Sequence, residues 1–384
     1  MQVALDTVPL IYSQSAERRT TFHLYRELLA RDGADDFVFL CIDRHGRRAA
    51  LDPLLVLRDV PVRRIRLPFR VVEWTWKHLR WPTVERLMGP VELYHVASMH
   101  APPARRASVL LTVRGIAWEA IPQLLSAPRV RALRATFNTS MTCADYYLAV
   151  SATTRDDMVK HLGVDPQRIF VVHHGVDPIF RPPDDRQALA FRLRARFGIE
   201  RPYILYVGAI GHHKNIMGLL EAYRLLHAQG LGGYDLWLVG APDSAWDEAQ
   251  ASVVRQGLQD RVHFPGSMSQ ESRDLTDLYG GAGCCVFPSF YEGWCSPPVE
   301  AMACGAPVVV SNRSSLPETA GGAALLTDPD DPLRIAEDVA RALTDEPIRR
   351  DLVHKGLARV VQLSWGASAE RLIGVYRQIE RARG

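Results

Sequence analysis

Short apolar runs alternate with amphipathic stretches along most of the chain. The runs are rich in β-branched and aromatic residues, which is typical of buried parallel strands. In the first half the predicted strands are Gln2–Val8, Phe37–Ile42, Val91–Val96, Ser108–Val113, Tyr146–Ser151 and Ile169–His174. In the second half they are Tyr203–Val207, Asp235–Val239, Val262–Phe264, Cys284–Phe287 and Pro307–Ser311.

Apolar residues at helical spacing occupy the stretches between these predicted strands. The predicted helices are Thr20–Ala30, Thr153–Leu162, Ile216–Gln229, Ala245–Gly257, Gln270–Tyr279, Pro298–Ala303, Pro332–Leu343 and Ser368–Arg381. Strands that alternate with helices of this length predict parallel sheets covered on both faces. We therefore expect an α/β fold of two doubly wound, Rossmann-like domains.

A segment rich in proline and charge separates the two series. It runs from Asp177 to Asp185 and is typical of a linker. The sequence therefore predicts an N-terminal domain of residues 1–180 and a C-terminal domain of residues 181–366. The last predicted helix has one apolar face, which is compatible with packing on either domain. That face consists of Leu372, Ile373, Val375, Tyr376 and Ile379.

The composition is that of a globular protein. The 384 residues are 47% apolar and 23% charged, which excludes a disordered chain, a collagen-like repeat and a disulfide-stapled mini-domain. The chain lacks a run of about 18 apolar residues, so we expect no transmembrane helix. The six cysteines form no C-x-x-C pair, so reduced thiols are favoured over a zinc site. Because the first residues do not resemble a secretory signal, we expect a cytoplasmic protein.

Charge is distributed unevenly along the chain. The net charge of +3 is too small to indicate a nucleic-acid partner. Residues 1–180 carry 24 basic and 18 acidic side chains, whereas the remainder carries 22 and 25. The first half is therefore the basic one. Lysine is rare, with four among the 46 basic residues, so a lysine in a glycine-bearing turn is informative.

A glycine-bearing turn follows the first strand of the second series. The segment Gly208–Asn215 contains Lys214 and leads into an apolar-periodic helix. Such a turn offers free N–H groups and the positive end of the helix dipole to a phosphate, and Lys214 would add a full charge. Taken alone, an ordinary turn with a solvated lysine explains the pattern equally well.

Two glutamates follow a later strand of the same series. Glu292 lies in a predicted loop, and Glu300 follows Pro297-Pro298, which suits a helix start. Glu300 is then expected in the first helical turn, with both carboxylates able to face one cleft. Complementing the helix dipole would explain Glu300 alone.

Two further loops are expected at the same edge of the second sheet. Pro265–Ser269 places a glycine just after a strand, where a ligand can approach the backbone, and Asn312–Glu318 is polar. Plain turns explain each loop taken alone. Because ligands bind at the carboxyl ends of strands in doubly wound sheets, the four loops together outline a pocket for a diphosphate and a sugar. Its carboxylates would hold hydroxyl groups.

The second half of the chain resembles glycosyltransferase family 4. The resemblance rests on Glu292 and Glu300 with seven residues between them, the run Ala301–Val309 and the loop Ser314–Glu318. Further matches are Val207-Gly208 with Lys214-Asn215, Val150-Ser151, Ile169–Val172, Gly175–Asp177 with Phe180, Asp328-Pro329 and Trp365-x3-Ala369-Glu370-Arg371. The match covers the second half nearly end to end and is weak in the first 145 residues.

The resemblance implies a retaining enzyme of GT-B fold, in which two Rossmann-like domains face a central cleft. The C-terminal domain would bind a nucleotide-sugar donor and the N-terminal domain an acceptor, with no metal or other cofactor. The terminal helix, residues 367–384, would cross back to the first domain. By similarity the donor-binding residues are Gly208, Lys214, Gly266, Ser267, Met268, Glu292, Gly293, Trp294, Cys295 and Glu300. Among these, Lys214 would hold the diphosphate, Glu300 the ribose and Glu292 the sugar, while Gly266–Met268 would border the base.

Departures from the family pattern bear on the donor and on activity. Ala209 stands where many members carry arginine, which favours GDP-mannose, and Cys295 replaces a usual glycine. Arg114 stands where members often have a His-Asp pair, and Ser13–Arg19 replaces a glycine-rich loop. We assign Arg114 to the catalytic group with Glu292 and Lys214. Together with Arg18 and Arg19, Arg114 either contacts an anionic acceptor or the leaving diphosphate, or is a solvated charge beside a degraded site.

The predicted activity is transfer of a hexose, mannose from GDP-mannose, to a saccharide or lipid-linked acceptor. The alternatives are a UDP- or dTDP-sugar donor and a catalytically inactive relative that serves as a binding or scaffold protein. A nicotinamide-dependent dehydrogenase and a P-loop kinase are disfavoured, because the chain lacks G-x-G-x-x-G and G-x-x-x-x-G-K-[ST].

Residues 61–90 are both basic and aromatic. They hold seven basic and two acidic residues, interleaved with Phe69, Trp74, Trp76 and Trp81. One interpretation places this stretch on an anionic membrane surface, with the protein peripheral at the inner face of the cytoplasmic membrane. The other packs its aromatic residues into the N-terminal core. Nucleic acid is not expected as a partner, because no recognised binding motif accompanies the charge.

Overall fold

The computed structural model describes residues 1–13, 16–31, 35–44, 50–268 and 273–383. The chain divides into two compact units, each built on a parallel sheet. The first unit consists of Met1–Glu119, Ser126–Gly175 and Trp365–Gly384. The second unit consists of Ala120–Leu125 and Val176–Ser364, so its main segment begins one residue before the linker expected from the sequence.

Each sheet is parallel throughout. The first has seven strands in the order β3-β2-β1-β4-β5-β6-β7: β1 Gln2–Asp6, β2 Asp36–Ile42, β3 Val62–Ile65, β4 Leu93–Val96, β5 Ser108–Val113, β6 Tyr146–Ala149 and β7 Ile169–Val171. The second has six in the order β10-β9-β8-β11-β12-β13: β8 Tyr203–Val207, β9 Asp235–Val239, β10 Val262–Gly266, β11 Cys284–Phe287, β12 Val308–Ser311 and β13 Leu325–Thr327. The α/β prediction of two doubly wound, Rossmann-like sheets is confirmed.

Helices connect the strands. Before the linker they are α1 Val8–Tyr12, α2 Ala16–Leu29, α3 Asp52–Leu55, α4 Phe69–Leu79, α5 Val84–Met88, α6 Ala117–Ala120, α7 Ala127–Met141 and α8 Ala152–Leu162. After it they are α9 Arg186–Phe197, α10 Ile216–Leu226, α11 Trp246–Arg255, α12 Arg273–Gly281, α13 Ser296–Ala303, α14 Leu316–Ala320, α15 Pro332–Thr344, α16 Glu346–Gln362 and α17 Trp365–Arg383. Among the described residues, no helix has the length and apolar character needed to cross a bilayer.

The core of the first unit includes the terminal helix. The central strand β1 places Val3 and Leu5 in this core, and α17 packs beside α2 and buries Leu372 and Tyr376 there. The Tyr376 hydroxyl lies 2.7 Å from Nδ1 of the buried His95. The apolar face at the end of the sequence is therefore covered by the first unit.

Two short edge strands, β3 and β13, were not predicted from the sequence. β3 has two exposed arginines, Arg63 and Arg64, and β13 is three residues long. Edge strands pair on one side and tolerate polar, exposed positions, so their hydrophobic pattern is weak. Val8, predicted to end the first strand, instead begins α1, because Pro9 at the start of a helix loses no hydrogen bond.

The basic aromatic stretch divides between core and surface. Trp76 and Val72 lie on the buried face of α4, with Trp76 4% exposed. Trp74 and Trp81 are 54% and 52% exposed. The interpretation that all of these aromatic residues pack into the core is therefore wrong for Trp74 and Trp81.

Candidate functional site

The strand order of the second sheet reverses direction at its centre. β8 pairs with β9 on one side and β11 on the other, and β11 continues to β12. The connections that leave β8 and β11 diverge at such a switch point and open a crevice at the carboxyl ends of these strands. This crevice is where the sequence predicted a ligand pocket, and the loops after β8 and β11 carry its charged residues.

The turn after β8 depends on close backbone approach. The Gly208 N–H donates to the carbonyl oxygen of Val239 at 2.9 Å. A Cβ atom at Gly240 would lie 1.7 Å from the carbonyl oxygen of Gly208, so a side chain at Gly240 is excluded. A Cβ atom at Gly208 itself would lie 2.6 Å from the Tyr206 hydroxyl. Gly208 therefore shapes the turn that leads to Lys214.

Lys214 stands immediately before a helix. His212–Lys214 form a single 3₁₀ turn, and Asn215 adopts a left-handed conformation with φ 58°. The Asn215 side chain accepts a hydrogen bond from the Gly218 N–H, at 3.2 Å, and so caps α10. The lysine therefore lies beside the N-terminus of α10, where the helix dipole attracts anions.

Lys214 and Glu292 meet across the switch point. Lys214 Nζ donates to Glu292 Oε1 at 2.6 Å, and the two side chains are 18% and 10% exposed. Ser289 Oγ donates to the same carboxylate oxygen at 2.9 Å. Two of the three residues predicted to be catalytic are therefore joined directly.

The backbone at Glu292 is held by the loop after β12. Its N–H donates to Ser314 Oγ at 3.0 Å, and Ser315 Oγ donates to its carbonyl oxygen at 2.9 Å. These contacts use the polar loop that sequence reasoning included in the pocket. Ser289, three residues before Glu292, was not identified, because a single serine after a strand carries no distinguishing pattern.

The lysine remains charged at neutral pH. Burial lowers the pKa of Lys214, but attraction to the Glu292 carboxylate outweighs it, and the net shift is upward. Burial, reinforced by the charge of Glu292, raises the pKa of Cys295 well above that of an ordinary thiol. Cys295 is therefore a neutral wall of the site rather than a nucleophile.

Glu300 lies deeper in the fold than the sequence indicated. α13 begins at Ser296, not at Pro298, so Glu300 lies beyond the first helical turn and that prediction was wrong. Two consecutive prolines mark a helix start without deciding which residue begins it. Glu300 is 2% exposed, and its Oε2 accepts a hydrogen bond from the Tyr279 hydroxyl at 3.0 Å.

The remaining predicted donor-binding residues occupy two segments. Gly293, Trp294 and Cys295 form the buried link between Glu292 and α13. Gly266 ends β10, two residues later than predicted, with φ +83° and open space where a Cβ atom would lie. The register against β9 shifts before Gly266, which explains why the sequence pattern ended early. Ser267 is exposed and Met268 half-buried, and part of the loop beyond them, 269–272, lies outside the described residues.

Arg114 belongs to the first unit and follows β5. Its Nη1 donates to Glu17 Oε1, at 3.3 Å, and to the carbonyl oxygen of Ala97, while Nη2 donates to Thr21 Oγ1 at 3.0 Å. Burial lowers the pKa of Arg114 although Glu17 opposes the shift. The interpretation of Arg114 as a solvated charge is therefore wrong. Glu17 was not singled out from the sequence; Gln14 and Ser15 of the same segment lie outside the described residues.

Comparison with known families identifies both parts of the chain. The family described as Glycosyl transferases group 1 matches residues 191–359, and that described as Glycosyltransferase Family 4 matches residues 18–180. The O-antigen chain mannosyltransferase B of Escherichia coli is 31% identical over 287 residues, which are 74% of each chain. The second family model thus also covers the first half of the chain, where the resemblance read from the sequence is weak.

Solved structures share the whole fold. Sucrose-phosphate synthase from Thermosynechococcus elongatus superposes with a TM-score of 0.72, 21% identity and full coverage of both chains. Anabaena Alr3699/HepE in complex with UDP and glucose gives a TM-score of 0.70 at 15% identity, covering 98% of this chain and all of that one. At these identities the likeness establishes the fold, which is of GT-B type as predicted.

Proposed function

Because the chain belongs to glycosyltransferase family 4 and is a glycosyltransferase, we propose that it transfers mannose from GDP-mannose to a saccharide or lipid-linked acceptor. The Lys214–Glu292 pair at the switch point of the second sheet carries this proposal. It brings a cation for a diphosphate and a carboxylate for sugar hydroxyls into one crevice. We propose that transfer retains the anomeric configuration, as the family resemblance implies.

Lys214 is suited to the leaving diphosphate. An ammonium group has three N–H donors, and among the described residues Glu292 is the one hydrogen-bond partner of Nζ. The remaining donors and the N-terminus of α10 are available to phosphate oxygens. A preorganised positive charge lowers the barrier by stabilising charge that develops on the leaving group. Because Lys214 supplies this charge, we propose that no metal ion is required.

Glu292 and Glu300 are proposed to bind different parts of the donor. Glu292 is held at its backbone by Ser314 and Ser315, so its carboxylate has a defined position from which to accept sugar hydroxyls. Glu300, oriented by the Tyr279 hydroxyl, is proposed to hold the ribose. Gly266–Met268 are proposed to border the base, since the open space at Gly266 admits a flat ring.

The choice of mannose and guanine rests on two observations. Ala209 replaces an arginine that many family members carry, and the E. coli relative with 31% identity is an O-antigen mannosyltransferase. A UDP-sugar is the second candidate, since a structural neighbour of the same fold binds UDP and glucose.

A ligand panel tests the donor assignment. We expect GDP-mannose to raise the Tm of the full chain more than UDP- and dTDP-sugars at equal concentration. The same panel, assayed for nucleotide release with and without a metal chelator, tests activity and metal independence. Stabilisation by UDP-sugars alone would overturn the donor assignment, and nucleotide binding without any turnover would support the scaffold alternative.

The acceptor side is proposed to lie in the first unit, at the predicted catalytic residue Arg114. Both Nη atoms of its guanidinium donate hydrogen bonds within that unit, whereas Nε is buried without a hydrogen-bond partner among the described residues. We therefore propose that Arg114 orients Glu17 toward acceptor hydroxyls rather than binding the leaving diphosphate. Replacing Glu17 with glutamine is then expected to raise the KM for acceptor while leaving the KM for donor unchanged.

We also propose that the first unit docks on an anionic membrane surface from the cytoplasmic side. The docking face consists of exposed apolar residues in and around α4: Leu67, Val71, Trp74, Leu79 and Trp81. Exposed Arg63, Arg66, Arg70 and Lys77 accompany it, and each basic residue near an anionic surface contributes about 1 kcal/mol. Replacing Val71 and Trp74 by serine is expected to abolish sedimentation with phosphatidylglycerol vesicles. Unchanged sedimentation would contradict the docking face.

A further inference from the structure

A groove lies at the end of the first sheet where the strands β4 and β5 begin, opposite their carboxyl ends. Its lining includes Trp81, Arg86, Arg105, Arg106 and Arg383. Two residues of the first sheet locate it, since the lining residue Glu92 precedes β4 and Arg383 Nη1 donates to Ser108, the first residue of β5, at 3.0 Å. Its volume of about 690 Å³ is that of a site for a small ligand.

The groove has a fixed backbone. Glu85 Oε1 accepts hydrogen bonds from the backbone N–H groups of Arg105 at 2.8 Å, Arg106 at 2.7 Å and Ala107 at 3.0 Å. Arg383 is anchored by a second bond, from Nη1 to the carbonyl oxygen of Glu92 at 2.6 Å. The backbone donors are thus satisfied within the fold, and the side chains of Arg105 and Arg106 extend from a rigid segment.

The groove carries more positive charge than its carboxylates balance. Its lining has four arginines and two glutamates. Burial raises the pKa of Glu85, but the three backbone hydrogen bonds lower it more, to about 2, so this glutamate is ionised and its Oε1 is already occupied. Among the described residues, no carboxylate pairs with the guanidinium of Arg86, Arg105 or Arg106. Arg86 instead lies over the ring of Trp81, 5.7 Å from its centroid.

We propose that this groove binds the phosphate headgroup of a membrane lipid. Guanidinium groups form paired, charge-assisted hydrogen bonds to phosphate oxygens, and Arg105 and Arg106 have this capacity unused. Trp81 belongs both to the groove and to the docking face, so a headgroup held by the arginines leaves its acyl chains beside exposed Trp81 and Leu79. The assignment of the lipid rests on the proposed membrane docking, whereas the phosphate-binding capacity stands without it.

The test uses the full chain and a short-chain phosphatidate kept below its micelle-forming concentration. Isothermal titration is expected to show saturable binding that weakens about tenfold or more in the double variant Arg105→Ala/Arg106→Ala. The matched control is Arg131→Ala/Lys160→Ala, which removes the same charge from exposed positions on α7 and α8 of the same unit, outside both the groove and the docking face, and is expected to bind like the wild type. An unchanged Tm of the groove variant would confirm that it folds, since both replaced side chains are exposed.

Glycerol 3-phosphate separates a lipid site from a site for free phosphate compounds. The proposal predicts that it binds more weakly than the phosphatidate, and that Trp81→Ala weakens the phosphatidate but not glycerol 3-phosphate. Equal binding of both probes would overturn the lipid assignment. Absence of saturable binding, or equal losses in the groove and control variants, would overturn the groove as a site. Because the probe is soluble, a failure of the docking face leaves this titration unchanged.

Discussion

The Lys214–Glu292 pair of the second unit and the Arg114–Glu17 pair of the first differ in what they leave available. Lys214 has Glu292 as its hydrogen-bond partner among the described residues, so further N–H donors remain. Arg114 donates to the carboxylate of Glu17 and also to two oxygen atoms of its own unit. Under the proposed function Lys214 therefore keeps donors for a diphosphate, whereas both Nη atoms of Arg114 are used within the first unit and only its buried Nε has no hydrogen-bond partner among the described residues.

The pKa shifts of Lys214 and Arg114 also differ. Burial lowers the pKa of both cations, but Glu292 reverses the shift at Lys214, whereas Glu17 does not reverse it at Arg114. Glu292 therefore stabilises the charged form of Lys214. At Arg114 the carboxylate of Glu17 offsets only part of the cost of burial, since the pKa of the arginine stays lowered.

The first-unit pair also accounts for two departures from the family pattern. Arg114 stands where members often have a His-Asp pair, and Glu17 lies in the segment that replaces the glycine-rich loop. Because the two residues contact each other, each departure supplies the partner that the other needs. The altered first unit is consistent with a rebuilt polar wall rather than with two unrelated losses.

Removing the lysine is expected to have the largest effect. Lys214→Ala should lower kcat/KM for the donor by about 100- to 1,000-fold, because a preorganised group that stabilises developing negative charge contributes on this scale. Initial rates with GDP-mannose measure it. The control is Lys355→Ala, since Lys355 pairs with Asp351 on the exposed face of α16. A Lys214→Ala loss as small as that of the control would refute its role.

Glu292→Ala is expected to lower transfer about 100-fold while changing the Kd for GDP by less than about threefold. The sugar contact is then lost, whereas the diphosphate contact to Lys214 remains. Steady-state rates and calorimetry measure the two quantities. An equal loss in both would show that Glu292 acts through Lys214 rather than on the sugar.

Glu300→Ala is expected to weaken nucleotide binding about tenfold, since a hydrogen bond to a charged group contributes roughly 1.5 kcal/mol or more. Calorimetry with GDP and with the guanine base alone measures this effect. The base should bind equally to wild type and variant if Glu300 contacts the ribose. Tyr279→Phe, which removes the donor to Glu300, is expected to show a smaller loss in the same direction.

The Arg114–Glu17 pair is expected to act on stability more than on donor chemistry. A double-mutant cycle of Arg114→Met and Glu17→Gln should give a coupling free energy of about 1 kcal/mol by chemical unfolding, because the pair is partly exposed. Zero coupling would mean that the two departures are independent. A loss of donor turnover comparable to that of Lys214→Ala would remove the distinction between the pairs.

The smallest expected effect is a change in thermal stability at alkaline pH. Folding raises the pKa of Lys214, so the pair stabilises the fold fully below the pKa of an unfolded lysine, about 10.4, and this contribution is lost as pH rises through the folded pKa. The Tm of the wild type should therefore fall more steeply above about pH 10 than that of Lys214→Met. Parallel curves would contradict the raised pKa.

Most of the regular fold could be predicted from local pattern. β8, β9 and β11 have the bounds that the apolar runs indicated, because strands buried on both faces read as continuous apolar segments. The edge strands β3 and β13 could not, since exposure on one side removes that signal. The start of α13 was predicted two residues too late, at Pro298 instead of Ser296, because two consecutive prolines are both compatible with a helix N-terminus.

The sequence by itself determined the two parallel-sheet units and singled out four loops, with Lys214, Glu292 and Glu300, as the candidate site. These follow from periodicity and spacing, which are properties of neighbouring residues. The tertiary structure alone decided which charges meet: Lys214 reaches Glu292 because β8 and β11 are adjacent, and Arg114 reaches Glu17 across the first unit. Strand order, and with it the partner and pKa of each cation, depends on contacts between residues far apart in the chain, which local patterns do not encode.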